Sequence, residues 1–440
     1  MKKCIITGLL ATLCSAAIAQ KAGWQHLNLQ TDQIFGVSTD KAYKELLKNK
    51  KAKTVIVGIL DSGIDTLHED LKPVLWNDPK TGHHGWNFIG TETGREDLTS
   101  IVSFLKDSAL YDSLAYGVVP PQYRKGYQAY RLSKKLKPEL AGKISDLRMQ
   151  LAALEKEDKP DNAQLIKMVK FHLLHGLNVD NNEADTAIGD ANVYPDKIIP
   201  WPSTPPGHGT HVAGIIGAVR GNGIGMDGVA DHVQIMMLKT NGNLREIRDK
   251  AIANAIRYAV DHGAKIINMS FGKPFTWDKK SVDDAIIYAM RKDVLFIHAA
   301  GNDADDLDQT PYYPIPTYVN GNGKAEAFLV VGASGPKDDN TLMAAFSNYG
   351  QHTVDVFAPG VDIYSTYPGG YKIWSGTSMA APVVAGVAAL IREYYPKLSA
   401  VQVKEIIMNS VIKRDILKDK CVSGGVVNAY NALKMAATYK

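Results

Sequence analysis

A chain of 440 residues with 45% hydrophobic and 22% charged side chains carries enough apolar content for a large core, and its composition is neither disordered nor fibrous. Its 50 basic and 46 acidic residues leave a formal charge of +4, and apart from short lysine runs such as KNKKAK no basic block offers a nucleic-acid track, so nucleic acid is not expected as a partner. One large domain, or one domain carrying an insertion, is expected.

The chain opens with MKKCIITGLLATLCSAAIAQ: two lysines, an uncharged apolar run, then the small-x-small triplet Ala17-Ile18-Ala19. Residues 1–19 read as a secretory signal cut before Gln20, which predicts a secreted or periplasmic protein. The apolar stretch from Cys4 to Ala19 is shorter than the roughly 20 residues a spanning helix needs, so no membrane span is expected in the mature chain. Cys4 and Cys14 lie inside the signal. That leaves Cys421 alone, with no internal disulfide possible, and it reads as a buried apolar filler.

Residues 20–52 form a lead-in that ends in a short helix, capped near Thr39-Asp40 and carrying Tyr43, Leu46 and Leu47 as its apolar stripe. TVIVGIL follows, a β-branched apolar run of the kind that lies inside a parallel sheet, with DSGID at its carboxyl end. This first part of the main domain covers 53–97. From 98 to 178 the sequence turns rich in lysine and glutamate with helical spacing: Ile144, Leu147, Leu151 and Leu154 make one stripe, and Leu165, Ile166, Val169 and Leu173 another. KEDKPDN breaks the two, so an inserted helical hairpin is predicted.

Over 179–440 the strand-then-helix rhythm returns: the helix begun by GHGTHVAGIIGAV, strand VQIMMLK, a helix over NLREIRDKAIANAIRYAVDHGA, strand KIINMSFG, helix SVDDAIIYAMRKD, and strand VLFIHAAGN. Two more apolar runs, AFLVVGAS and TVDVFAPG, precede the helix in GTSMAAPVVAGVAALIREYY. This alternation predicts an α/β fold, a doubly wound, mostly parallel sheet flanked by helices, whose functional loops sit at the carboxyl ends of strands.

Four of those loops or helix starts carry the residues of an acyl-transfer site. A serine hydroxyl is a weak nucleophile unless a base takes its proton, imidazole is the neutral-pH base, and a carboxylate behind the imidazole fixes its tautomer. Ser378, His208 and Asp61 supply those three groups. Asn302 offers a side-chain N–H to a developing oxyanion, and a backbone N–H at the start of the helix carrying Ser378 offers a second. The competing readings are simple ones. Asp61 alone would be a strand-end cap and Ser378 a helix N-cap, while His208 with His211 could form an H-x-x-H metal pair. No glutamate accompanies that pair as in H-E-x-x-H and no third ligand follows, so His208 reads as the base and His211 as a hydrogen-bonded core histidine.

ILDSGID, GHGTHVAGIIGA, INMSFG, AAGN and SGTSMAAPVVAGVAALI together resemble the subtilisin-like serine peptidases. The chain order Asp, His, Ser is that family's, whereas α/β-hydrolases run Ser, Asp, His and chymotrypsin-like enzymes His, Asp, Ser. The resemblance implies a secreted serine endopeptidase acting on protein or peptide substrates through an acyl-enzyme, with Asp61 orienting His208, His208 as base and then acid, Ser378 as nucleophile and Asn302 completing the oxyanion hole. It also implies that Ser270, Phe271 and Gly272, with Ala299, Ala300 and Gly301, line the slot for the residue before the scissile bond. Those residues would make an open apolar slot suited to large hydrophobic side chains, although Asp303 just beyond would suit a basic residue. No cofactor is required for the chemistry. Asp70 and the loop RGNGIGMDG, through Asn222, resemble the family's calcium site, with a solvated acidic turn as the alternative. About 146 residues separate Asp61 from His208, more than the family usually uses, and the inserted hairpin is read as a lid or exosite that restricts substrates, against a solvated decoration. A substrate-restricted processing peptidase and a binding module retaining the fold without catalysis are the other readings; oligomeric state is not legible.

Overall fold

The computed structural model describes residues 22–88, 206–241 and 249–439, apart from a few loop positions, together with Ile247 and scattered helical residues between 145 and 169. The signal expected over 1–19 and most of the hairpin expected over 98–178 lie outside the described residues. Those described within the hairpin region, Ser145, 148–156, Asn162, Ile166 and Val169, are helical.

Eleven strands are described: β1 Val55–Asp61, β2 Gly85–Asn87, β3 Val233–Lys239, β4 Ile266–Met269, β5 Leu295–Ala299, β6 Phe328–Ser334, β7 Val356–Pro359, β8 Ile363–Tyr367, β9 Gly370–Trp374, β10 Ile412–Lys413 and β11 Gly425–Val426. Nine form one sheet in the order β10-β11-β7-β6-β5-β4-β1-β3-β2, parallel except where β10 meets β11; β8 and β9 form a separate hairpin. The long helices are α1 Gly207–Gly217, α2 Asp249–Asp261, α3 Lys279–Arg291, α4 Thr377–Tyr394, α5 Ala400–Asn409 and α6 Ala429–Ala436.

The strands are apolar on both faces because both faces are covered. Val57, Ile59, Ile235 and Ile297 point into a core shared with α1, α4, α5 and α6, while Leu60, Met236, Leu238 and Ile267 point into a second core against α2 and α3. α4 is apolar almost all round and buried along nearly its whole length, as a helix crossing the middle of a core must be. The expected helix over the lead-in is a four-residue turn, Thr39–Ala42, continued by a π-type turn through Leu47, with Tyr43 packed beside the core.

From β1 the chain passes to β3 on one side and then crosses to β4 on the other, so the strand order reverses between β1 and β4. Ligands of doubly wound sheets bind outside the carboxyl ends of strands at such a switch point. β1 ends at Asp61 and β4 at Met269, and the chain turns from both into the site described below.

α4 packs on α1 and the loop before β3 through Gly386. A Cβ there would lie 2.5 Å from Val229 Cβ and 3.3 Å from Ile216 O. Gly386→Ala gains helix propensity but overfills this contact, so the net effect is a loss of about 1–3 kcal/mol in urea unfolding. A variant as stable as the parent or more so contradicts the close packing of α4.

Candidate active site

Asp61 ends β1 with its carboxylate fully buried, and a buried carboxylate must be hydrogen-bonded. Its Oδ1 accepts from Ser62 N at 2.6 Å, and its two oxygens lie 2.8 and 2.9 Å from His208 Nδ1. His208 stands in the first turn of α1, about a third exposed, with Trp374 of β9 tilted across it at 6.1 Å. With Nδ1 bonded to the carboxylate, Nε2 is the nitrogen left to face a substrate. Burial alone would lower the pKa of this imidazole, but the charge of Asp61 and its hydrogen bond outweigh burial and hold it above 6.5.

Ser378 is the second residue of α4. Its Oγ donates to Ser270 O at 2.9 Å, and Ser270 Oγ donates in return to Ser378 O at 2.9 Å. Sequence explains the second bond. Pro382 lies four residues after Ser378 and has no N–H, so the carbonyl of Ser378 has no helical partner and is open to Ser270. Among the described residues no hydrogen bond joins Ser378 Oγ to His208, so the hydroxyl is parked on the neighbouring strand end.

Asn302 lies beyond β5 on the exposed side. Its Oδ1 accepts from Thr377 N at 2.8 Å and Thr377 Oγ1 at 3.0 Å, which fixes the amide's orientation and turns Nδ2 outward as a donor. A Cβ placed on Gly376 would be 3.7 Å from Asn302 Nδ2 and equally far from Ser378 N. Both N–H groups thus border Gly376, and that of Ser378 lies at the positive end of α4.

The slot residues follow β4 and β5. Ser270, Phe271, Ala299, Ala300 and Gly301 are all buried, and Gly272 is half-buried. The open slot expected between these segments is instead filled by Tyr312. A Cβ on Gly272 would lie 2.0 Å from Tyr312 Cε1, and one on Gly301 3.1 Å from the same atom. The ring also stacks on His298 at 6.1 Å. His298 is fully buried, bonds Phe271 O through Nε2 at 2.8 Å and has its pKa pushed down to about 4 by burial, so it is a neutral tie between β4 and β5. Neither Tyr312 nor His298 is marked by the motifs; the sequence carries only an unremarkable YYP.

Other expectations resolve individually. His211 is fully buried, with Nε2 3.1 Å from Ile363 O and 3.0 Å from Lys372 O, and burial lowers its pKa to about 4. No second metal-binding histidine therefore stands beside His208. Asp65 accepts from Leu67 N in a turn, Asn268 donates to Ser270 Oγ at 2.9 Å, and Cys421 is buried.

Asp70 and Asn222 do come together, but as donor and acceptor. Asn222 Nδ2 donates to Asp70 Oδ1 at 2.7 Å while Asn222 Oδ1 accepts from Ile224 N at 2.9 Å. Asp70 Oδ2 accepts from Met226 N and Tyr371 OH. Calcium needs six to eight oxygens turned toward it, and these residues turn N–H and O–H donors onto the carboxylate, so they do not fit the ion in this arrangement.

Comparison with known proteins follows the same lines. The model of the Subtilase family matches residues 52–431. Thermitase from Thermoactinomyces vulgaris is 37% identical over 52% of this chain and 75% of its own. Subtilisin DY from Bacillus licheniformis is 41% identical over 45% of this chain and 68% of its own, and subtilisin Savinase from Lederbergia lenta is 35% identical over 52% and 78%. A solved protease structure from Pseudoalteromonas arctica superposes with a TM-score of 0.55 over 94% of this chain and 98% of that one, at 22% identity, a likeness of fold alone.

Because the folded pKa of His208 exceeds the free value of 6.5, its protonation stabilises the fold fully below pH 6.5, and that contribution is lost as pH rises through the folded pKa. In an NMR titration His208 should titrate above 6.5, and Asp61→Asn should drop it below 6.5 because burial then acts alone. An unchanged value in the variant contradicts this origin of the shift.

Proposed function

This chain belongs to the subtilase family and is a serine endopeptidase, and from that premise we propose that Asp61, His208, Asn302 and Ser378 carry out the hydrolysis. The observation that carries the assignment is the pairing of His208 Nδ1 with both oxygens of the buried Asp61, at 2.8 and 2.9 Å. It leaves Nε2 as the base and stabilises the imidazolium formed when that nitrogen takes a proton.

In this reading Ser378 rotates off the Ser270 carbonyl as substrate arrives and gives its proton to His208 Nε2. Its oxygen then adds to the scissile carbonyl carbon. Side-chain and helix-start hydrogen bonds often tighten only in the substrate complex, so the parked hydroxyl is compatible with this step. The carbonyl oxygen, now negative, takes hydrogen bonds from Asn302 Nδ2 and Ser378 N. Collapse of the adduct breaks the C–N bond as His208 returns its proton to the leaving amine, and water, deprotonated by the same imidazole, cleaves the acyl-enzyme. No step needs a metal. Residues 1–19 are taken to direct export, and among the described residues no helix is long and apolar enough to cross a membrane.

Tyr312 favours the substrate-restricted version of this activity over broad digestion. The ring lies against Gly272 and Gly301, so the residue before the scissile bond meets an aromatic wall where an open apolar slot was expected. Small side chains such as alanine fit that wall better than phenylalanine or leucine.

Ser378→Ala should abolish peptide hydrolysis above background while leaving the folded protein intact. Asn302→Ala should cost about a hundred- to a thousandfold in kcat, the loss established for removing the side-chain oxyanion donor of subtilisin and carried over to this position. Wild-type kcat in either variant, assayed on casein, removes that residue from the mechanism. Tyr312→Ala should raise kcat/KM for phenylalanine over alanine before the scissile bond by about tenfold or more, read on paired peptide substrates. An unchanged ratio places the ring outside the specificity site.

A further inference from the structure

At the end of the sheet remote from Asp61, three side chains converge that the hydrolytic reaction does not use. Asp231 and His232 immediately precede β3, and Glu393 is the penultimate residue of α4, the helix whose other end carries Ser378. One ligand atom from each, two carboxylate oxygens and an imidazole nitrogen, lie within 4.8 Å of one another. Glu393 is fully buried, and its Oε2 and Asp231 Oδ1 are both buried atoms that accept no well-aligned hydrogen bond. His232 Nδ1 stands 3.0 Å from that Asp231 oxygen. The second oxygen of Asp231 is reached by Tyr394 OH at 3.5 Å, and Glu393 Oε1 by His232 N at 3.2 Å.

Charge makes this arrangement costly as it stands. Two carboxylates face each other, Glu393 sealed from water and Asp231 about a quarter exposed, at a helix C-terminus whose dipole is itself negative. Among the described residues no lysine or arginine pairs with either; Arg392, next in the chain, is turned to Asp293 on the other side of the helix. A positive species between the two oxygens, a shared proton or a bound cation, would relieve that cost.

We propose that Asp231, His232 and Glu393 bind a divalent cation of the zinc class, which clamps the far end of α4 to the start of β3. An imidazole beside two carboxylates suits a borderline ion such as zinc better than calcium or magnesium, which take all-oxygen shells. Tetrahedral zinc at about 2.0 Å sets its ligand atoms about 3.3 Å apart. His232 Nδ1 already stands 3.0 Å from Asp231 Oδ1, and its ring is about half exposed. The same exposure leaves the fourth position to water. The role is structural: the ion fixes the rear of the helix that presents Ser378 and touches no reacting atom.

The test uses the full chain carrying Ser378→Ala, to prevent self-digestion, stripped with EDTA, dialysed and titrated with zinc sulfate alone. Calorimetry should show one equivalent bound through this cluster, and at a hundred times the dissociation constant the thermal midpoint should rise by about 4 °C. His232→Ala and Glu393→Gln, each added to that background, should lose both the heat and the rise. Glu393→Gln removes one of two facing like charges, so it should not lower the metal-free midpoint. A parent that gains no stability from zinc, or variants that gain as much as the parent, overturn the proposal; in the first case the carboxyls share a proton instead.

Discussion

A carboxylate sealed at the end of a parallel strand is the constraint around which the site is arranged. Asp61 has no water to satisfy it, so it must be held by donors, and the donors available are Ser62 N and the Nδ1 of His208. That requirement sets the imidazole's tautomer, points its other nitrogen outward, and raises its affinity for a proton above that of a free histidine. The reversal of strand order between β1 and β4 does the rest. It brings the ends of β1, β4 and β5 to one edge of the sheet, where Asp61 is paired with His208 and the loop after β5 is bonded to the start of α4.

Helix α4 links the two ends of the molecule. At its start the missing N–H of Pro382 frees the Ser378 carbonyl for Ser270, so a residue that usually weakens a helix here fastens the catalytic turn to the neighbouring strand. Thr377 in the same turn grips the oxygen of Asn302 and so aims its nitrogen. At the other end Glu393 meets Asp231, with no lysine or arginine paired to either among the described residues. One nearly all-apolar, buried helix thus spans the distance between the two ends.

Much of this is legible in sequence because the informative features are local. β-branched runs ending in DSGID, the glycine-framed GHGTH and the small-residue helix after SGTS each read on their own, and β3 falls on VQIMMLK residue for residue. What is not legible depends on tertiary approach. Tyr312 enters the slot from a loop ten residues beyond Asn302, and only two glycines without side chains make room for its ring. Asp70 and Asn222 are together as expected, but the direction of their hydrogen bond turns on Ile224 N, which no spacing reveals. The β8–β9 hairpin has a signal, the Pro368-Gly369 pair between aromatic runs, yet β9 is largely solvent-facing and its pattern lacks the buried alternation that marks a strand. Ser399 and Gln402 likewise form a capping box at the head of α5 that a reading centred on chemistry passes over.

In the proposed mechanism, hydrolysis depends on the hydroxyl of Ser378 becoming nucleophilic through His208. Covalent labelling with a fluorophosphonate, mapped by mass spectrometry across pH, tests that dependence most directly. The label should sit on Ser378 alone, at a rate that climbs with pH through an ionisation above 6.5 and collapses when His208 is replaced by alanine. Labelling elsewhere, or labelling of Ser378 at an undiminished rate without the imidazole, contradicts it.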